Sequence, residues 1–385
     1  MPLLSIVIPT KDRYATLLPV VEALLSYVPG HDYEIVIQDN SEPGQIPTDL
    51  RFRLNDPRIR YFHRSENMSI VENTIAAIEN ASGDYLCFIG DDDLVAPYVI
   101  EETLKLRDSG LDCMIHPPAY YWWSTVEFLT VDRYRHKSAF WLPKSTSTEF
   151  LNGPTELEHM LNNGAVSYYR MPRFYHGIVS RRALQTVYEH TGTFVPGSSP
   201  DMALSVALAL VTNRYLQSCR PITVFGASRG SGGGLTAARR HHGRIEDQVH
   251  LPKNTIERWD SRLPRYWSEY TIYPQTTQEV LKAFDRPSNL DFTALYASIL
   301  VNEPWLWSMT WPLAKHHFSF SPNRWCRFAA IITKRYIGKA YRGMQSMLGR
   351  RPYDVVDCPS LGDCMRELNL RYGRSDETVP VTQTT

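Results

Sequence analysis

The chain has 385 residues, 43% hydrophobic and 21% charged, enough apolar sequence for one large domain or two of ordinary size. Lys plus Arg is 41 and Asp plus Glu is 41, which argues against a broadly basic nucleic-acid binder. No apolar run reaches the roughly 18 residues of a bilayer-spanning helix, and the six cysteines form no CxxC pair that would suggest zinc or a disulfide framework. The opening MPLLSIVIPTKDR lacks a basic stretch ahead of a run too short for a secretory signal, so a reducing cytoplasm is expected.

Leu3 to Ile8 is a short apolar run before Pro9-Thr10 and predicts a buried strand. Thr16 to Tyr27 has apolar residues at helical spacing, and Tyr33 to Gln38 predicts a second strand stopped by the turn-forming Asp39-Asn40-Ser41. Ile59 to His63 is a third, weaker strand. Ser69 with Glu72 forms a capping box that opens a helix through about Ala81. Gly83 breaks the chain before a fourth strand, Asp84 to Ile89, which ends in Gly90-Asp91-Asp92-Asp93. Pro97 starts the next helix, and Asp112 to Ile115 is a fifth strand. This alternation predicts an α/β fold with a parallel-type sheet and crossover helices.

Residues 117–170 are rich in Tyr, Trp, Asn, Pro and Ser with little periodicity, and predict loops with short helices. A strand at Phe174 to Ser180, a helix at Arg181 to His190 and an apolar helix at Asp201 to Thr212 follow. Strand-like Ile222 to Phe225 leads into residues 226–234, GASRGSGGG, a flexible loop by composition. From Ala237 the pattern is mostly helical, and the last ten or so residues, rich in Thr and Val, are expected to be disordered.

Open α/β sheets bind ligands outside the carboxyl ends of their strands. Three polar clusters stand at such ends: Pro9-Thr10-Lys11-Asp12-Arg13, Asp39-Asn40-Ser41 and Asp91-Asp92-Asp93. Closely packed carboxylates repel unless a cation or hydrogen-bond donors lie between them. A hard divalent ion shared with substrate phosphates answers that need; a solvated loop capping the next helix is the plainer reading. Asp39 either accepts from the N–H edge of a base or closes an Asx turn. No Gly-x-Gly-x-x-Gly follows the first strand and no Gly-x-x-x-x-Gly-Lys-Ser/Thr loop exists, so neither a dinucleotide nor a P-loop site is expected.

LSIVIPTKDR, EIVIQDNS and GDYLCFIGDDD, in that order and spacing, resemble the family-two inverting glycosyltransferases. The resemblance covers about residues 3–231 and implies a GT-A fold, a Rossmann-like mixed sheet, over residues 1–235. Residues 1–115 would be the nucleotide-binding half and 116–235 the acceptor half, with a mainly helical region at 236–385. It implies that Pro9, Thr10 and Arg13 line the nucleotide pocket, that Asp39 reads the base, and that Asn67 and Asn73 contact the nucleoside. Asp91 would lie by the ribose or sugar beside Asp92, with Asp93 holding Mn²⁺ or Mg²⁺ against the diphosphate. The expected base is Asp201, in Ser199-Pro200-Asp201 at a helix start, where a first-turn aspartate is also favoured for its own sake. Glu156 and Glu158 stand in reserve. His176 faces the diphosphate or acceptor, or is a buried structural histidine. Arg229 and Ser231 belong either to a lid over the donor phosphates or to a plain linker. Tyr121 and Trp122, in a run of aromatic residues at 120–123, form an acceptor platform or a packed core.

Between Glu303 and Asp354 no acidic residue occurs. At about 100° per residue, Arg324, Arg327, Lys334, Arg335, Lys339 and Arg342 share one arc of about 140°. Trp325, Ile332, Tyr336, Ile337, Met344 and Met347 lie mostly opposite, and Phe318 and Phe320 precede them. Residues 304–351 therefore predict an interfacial helix on the inner face of the cytoplasmic membrane, the alternative being a helix packed on the body with its basic face solvated. The expected partners are a nucleotide-sugar donor and a saccharide acceptor, lipid-linked, with no nucleic acid. The resemblance implies bacterial surface-polysaccharide assembly such as capsule or lipopolysaccharide. Rival readings are a binding protein without turnover and a sugar nucleotidylyltransferase. The latter needs a Gly-rich, Arg-containing loop after its first strand, which PTKDRYAT does not supply.

Overall fold

The computed structural model describes residues 1–144, 147–319 and 321–373; Phe320 and the Thr- and Val-rich terminal stretch lie outside them. Strand β1 (Leu4–Thr10) and β2 (Tyr33–Asp39) are the apolar runs expected, and β2 is buried at every position, as central parallel strands must be. They are followed by β3 (Ile59–His63), β4 (Tyr85–Phe88), β5 (Leu94–Val95) and β6 (Cys113–Ile115). Then come β7 (Ala119–Trp122), β8 (Ala139–Pro143), β9 (Glu149–Asn152) and β10 (Ile178–Ser180). The last are β11 (Arg214–Gln217), β12 (Thr223–Ala227) and β13 (Tyr353–Asp357).

The larger sheet has the order β3-β2-β1-β4-β10-β6-β11-β9. Strand β1 pairs parallel with β2 and β4, whereas β10 runs antiparallel to β4 and β6, so the sheet is mixed. The chain steps outward from β1 to β3, then returns to the opposite flank of β1 at β4. That reversal opens a crevice at the carboxyl ends of β1 and β4. The helix Ile70–Asn80 crosses back between β3 and β4, opened by the expected capping box of Ser69 and Glu72. The helix expected at Pro97 starts at Val99, because Leu94–Val95 is first taken into a pairing with β12.

Three sequence expectations need correction. Residues 117–170 are not loops and short helices alone: besides the helix Gly153–Asn162 they supply the strands β7, β8 and β9. Paired aromatic strands shorter than six residues carry no readable periodicity. Residues 226–234 are not one flexible loop: Gly226 and Ala227 end β12, and Ser231 caps a short helix at Gly232–Ala237. Third, the helical region does not simply extend away from residue 236. After the helices Glu269–Ala283, Phe292–Asn302, Trp307–Phe318 and Pro322–Met347 the chain returns. Strand β13 pairs antiparallel with β8, completing a second sheet of order β13-β8-β7-β12-β5. The helix Leu361–Tyr372 then packs on the helix Tyr14–Tyr27. Arg220 fastens this return, pairing with Glu101 and Glu102 at 2.6 and 2.7 Å while donating to the Tyr372 carbonyl at 2.7 Å.

The helix Pro322–Met347 inverts the packing alternative weighed above. Trp325, Phe328, Ile331 and Ile332 hold its first half on the apolar cluster beneath, so helical periodicity carries Arg335, Lys339 and Arg342 round to the same inner side. The apolar residues of its second half are left outside, with Ile337 64% and Met347 84% exposed. Among the described residues no helix is long and apolar enough to cross a membrane.

Leu368 is fully buried in the same cluster as Leu17 and Leu24. Leu368→Ala is expected to cost about 2–5 kcal/mol and to lower the denaturation midpoint of the catalytic-domain transition itself. A second, separate transition in urea would show instead that residues 353–372 form an independent appendage.

Candidate active site

The residue that organises the strand tips is Arg13, just beyond β1. Its guanidinium lies 2.9 Å from Asp91 Oδ1 and 2.9 Å from Asp92 Oδ1, so one fixed cation sits between two carboxylates. It also donates to Ser228 Oγ at 3.0 Å. Thr10, the last residue of β1, donates its hydroxyl to Asp91 Oδ2 at 2.6 Å, and Ser228 N donates to Asp92 Oδ2 at 2.9 Å. Burial pushes the Asp91 carboxyl up to about 7 even against the Arg13 charge, and raises Asp92 for the same reason. Pro9 is half-buried in β1, one residue before Thr10.

Asp93 has a different environment. Its side chain is 1% exposed and takes hydrogen bonds from Gly90 N at 2.6 Å, Tyr175 OH at 2.7 Å and Gly226 N at 2.6 Å. His176 Nε2 lies 3.1 Å from the same carboxylate. Burial works to raise its pKa, but the His176 charge and these hydrogen bonds outweigh it and hold Asp93 below the ordinary carboxylate value. A carboxylate offers about four lone-pair directions, and protein groups use them here. The expected metal ligand is therefore a structural anchor, tying the acidic turn to β12. Gly226 permits the approach, since a Cβ there would fall 1.7 Å from the Asp92 carbonyl oxygen. His176 is correspondingly fully buried, with both ring nitrogens turned to protein groups. Its Nδ1 meets Thr223 Oγ1 at 2.6 Å, and that hydroxyl meets His116 Nε2 at 2.9 Å.

Asp39 is brought beside Thr10 by the β1–β2 register but is 0% exposed. Tyr14 and Tyr61 donate to its Oδ2 at 2.5 and 2.6 Å, and Ser41 N donates to Oδ1 at 2.8 Å. The Asx turn is thus realised, and no oxygen of Asp39 is open to a base in this arrangement.

Asp201 lies in the first turn of the helix Pro200–Val211, half-buried. Burial pushes its carboxyl up to about 7; Tyr168 OH, at 3.5 Å, is too distant to offset this, and the charges of Glu269 and Asp93 add to it. Tyr175 feels both Asp93 and Asp201, which puts the helix start within electrostatic reach of the acidic turn. The reserve Glu156 is held by Arg170 at 3.2 Å.

The remaining expected contacts divide. Asn67 is exposed beside the crevice and accepts from Lys11 Nζ at 3.1 Å. Asn73 is half-buried on its helix with Oδ1 unpartnered. Arg229 points away from the acidic turn to Glu127 at 3.1 Å, whereas Ser231 Oγ accepts from the Ser228 and Gly234 amides and its hydroxyl also helps hold the Asp92 carboxyl down against burial. Tyr121 is core, donating to the Cys358 carbonyl at 3.1 Å, and Trp122 packs edge-on against Phe128 and Trp141; the two form no open platform. Tyr175, Thr223, Gly226 and Tyr168 complete the site without having been read from the sequence. A Tyr directly before His176 was the one available hint.

A divalent cation fits Asp91 and Asp92 better than Asp93, because those two carboxylates already converge on one positive charge. Among the described residues no three His, Cys, Asp or Glu side chains gather as a metal-binding group, so phosphate oxygens would have to complete the shell.

Residues 5–168 match the family model described as Glycosyl transferase family 2. An uncharacterized glycosyltransferase of Rickettsia felis is 30% identical over 107 residues, which is 28% of this chain and 17% of that protein. Another, from Rickettsia bellii, is 26% identical over 107 residues, 28% of this chain and 15% of that protein. The chain thus spans only a small part of these curated relatives. Among solved structures, S. aureus TarS 1-349 in complex with UDP-GlcNAc is 13% identical with TM-score 0.44, covering 84% of this chain and 74% of that one. All three strand-tip clusters fall inside residues 5–168, so the segment that matches the glycosyl transferase family 2 model is the one that carries the candidate site.

Proposed function

We propose that the protein transfers a sugar, with inversion, from a nucleotide-diphosphate donor to an acceptor hydroxyl, with Asp201 as the base. The observation that carries this reading is the pairing of the Arg13-bridged acidic turn with a second carboxylate poised near neutrality. Asp201 takes the proton from the acceptor hydroxyl as its oxygen bonds to the anomeric carbon and the sugar–phosphate bond breaks on the opposite face. A base needs a pKa near working pH, and burial in this position supplies it. Arg13, with 28% of its side chain exposed, presents positive charge to the departing diphosphate. Thr10 and Ser228 N orient Asp91 and Asp92. Asp91 and Asp92 would hold Mn²⁺ or Mg²⁺, which as a Lewis acid stabilises negative charge growing on the leaving group.

The exposed apolar residues of the helix Pro322–Met347, among them Ile337, Tyr341, Met344 and Met347, support attachment to a membrane surface. Exposed cations on the same helix would each add about 1 kcal/mol near anionic headgroups. The acceptor would then be a lipid-linked saccharide, in polysaccharide assembly.

Asp201→Asn is expected to bind donor normally but to lose transfer by about 10²- to 10⁴-fold. In the wild type, transfer should rise as pH climbs through about 7, because Asp201 acts only when deprotonated. Asp91 shares that range, so the limb must also persist in the residual activity of Asp91→Asn. Full activity of Asp201→Asn would eliminate the base assignment. For the metal, Asp92→Asn should abolish Mn²⁺-dependent donor binding by calorimetry, whereas Asp93→Asn should chiefly lower the melting temperature. The reverse pattern would restore Asp93 as the ligand. Ile337→Glu with Met344→Glu should release the protein from phosphatidylglycerol liposomes; undiminished cosedimentation would refute attachment through this face.

A further inference from the structure

The helix Pro322–Met347 does not lie flat on the body. Between it, the helix Phe292–Asn302 and the end of the helix Gly153–Asn162 is a cleft of about 530 Å³, none of whose lining residues belongs to the acidic turn. Lys334, Arg335, Lys339 and Arg342 line it together with Asn163 and Tyr270, and no Asp or Glu does. Arg327 at its edge is neutralised by Asp291. Among the described residues, none of the other four cations has a carboxylate within ion-pair distance. Arg335 Nε is buried and unpartnered, and its Nη2 reaches only the Asn163 carbonyl at 3.4 Å. Lys339 finds a carbonyl, that of Val301 at 2.7 Å, but no counter-charge.

Cations gathered round one space repel each other, and burial adds a desolvation cost to those it reaches. Burial indeed lowers the pKa of Arg335 and of Lys339, with Arg342 repelling the latter. An anion in the cleft relieves both costs. Several donors spread along one helix face ask for acceptor oxygens in several directions and more than one negative charge, which a carboxylate lacks and a phosphate has. We propose that this cleft binds a phosphate- or diphosphate-bearing ligand, at a site separate from the acidic turn. The inference rests on the cleft alone and stands whether or not the protein transfers sugars.

The test uses the full chain in EDTA, titrated calorimetrically with pyrophosphate and, in parallel, sedimented with phosphatidylglycerol or phosphatidylcholine vesicles. Wild type should bind pyrophosphate, and Arg335→Gln with Lys339→Gln should weaken it about tenfold or more. Arg350→Gln, which removes an exposed cation outside the cleft, should change nothing. If only phosphatidylglycerol binding responds in this pattern, the phosphate comes from a lipid headgroup; if pyrophosphate responds, a soluble phosphoanion suffices. Gly338→Glu puts a carboxylate into the same cleft without removing a contact, and should reproduce the loss should the double variant fail to fold. Wild type binding neither probe, or both cleft variants binding like wild type, would overturn the proposal.

Discussion

The structure around the strand tips depends on one guanidinium. Asp91 and Asp92 are buried side by side, and without Arg13 their charges would face each other in a medium that screens poorly. Removing one member of a buried ion pair costs about 3–5 kcal/mol, because the remaining charge is left uncompensated. Arg13 sits immediately after β1 and the carboxylates immediately after β4, so this bridge also fixes the switch-point crevice. Two carboxylates balanced against one cation give the crevice charge of both signs.

Asp93 is neutralised by a separate device. His116, Thr223 and His176 form a buried line that ends at its carboxylate, and Tyr175 and the Gly226 amide close the remaining directions. His176 adopts φ 57°, a left-handed conformation that His tolerates better than most residues and that contacts at both ring nitrogens hold in place. Three consecutive aspartates therefore have two roles. The first two face the Arg13 guanidinium, while the third locks the turn to the second sheet.

The carboxy-terminal region also divides. Residues 353–372 belong physically to the amino-terminal layers, where β13 extends the second sheet and the last helix covers the helix Tyr14–Tyr27. The helix Pro322–Met347 leads up to that return with Arg335, Lys339 and Arg342 lining the cleft and Ile337, Tyr341, Met344 and Met347 facing outward. This reversal follows from Trp325 and Phe328, which set the rotation of the helix and leave the later residues no choice of face. An outward apolar stripe and an inward cationic cleft are two consequences of one helical phase.

Strands β1 to β4, β6, β10 and β12, the capping box at Ser69 and the placement of the acidic turn after β4 were legible in the sequence, because each is set by neighbours a few residues apart. So was the convergence of residues 9–13, 39–41 and 91–93, which follows from strand order in any open α/β sheet. The sequence could not tell which carboxylates remain free. Asp93 is filled by Tyr175 and Gly226, 82 and 133 residues away, and Asp39 by tyrosines 25 and 22 residues away. Nor could it give the return of β13 to β8, or the face on which Arg335 and Lys339 come to lie. Local pattern determines where a strand ends and a helix begins; hydrogen-bond saturation and helix rotation are decided only when distant segments pack and compete for the same donors.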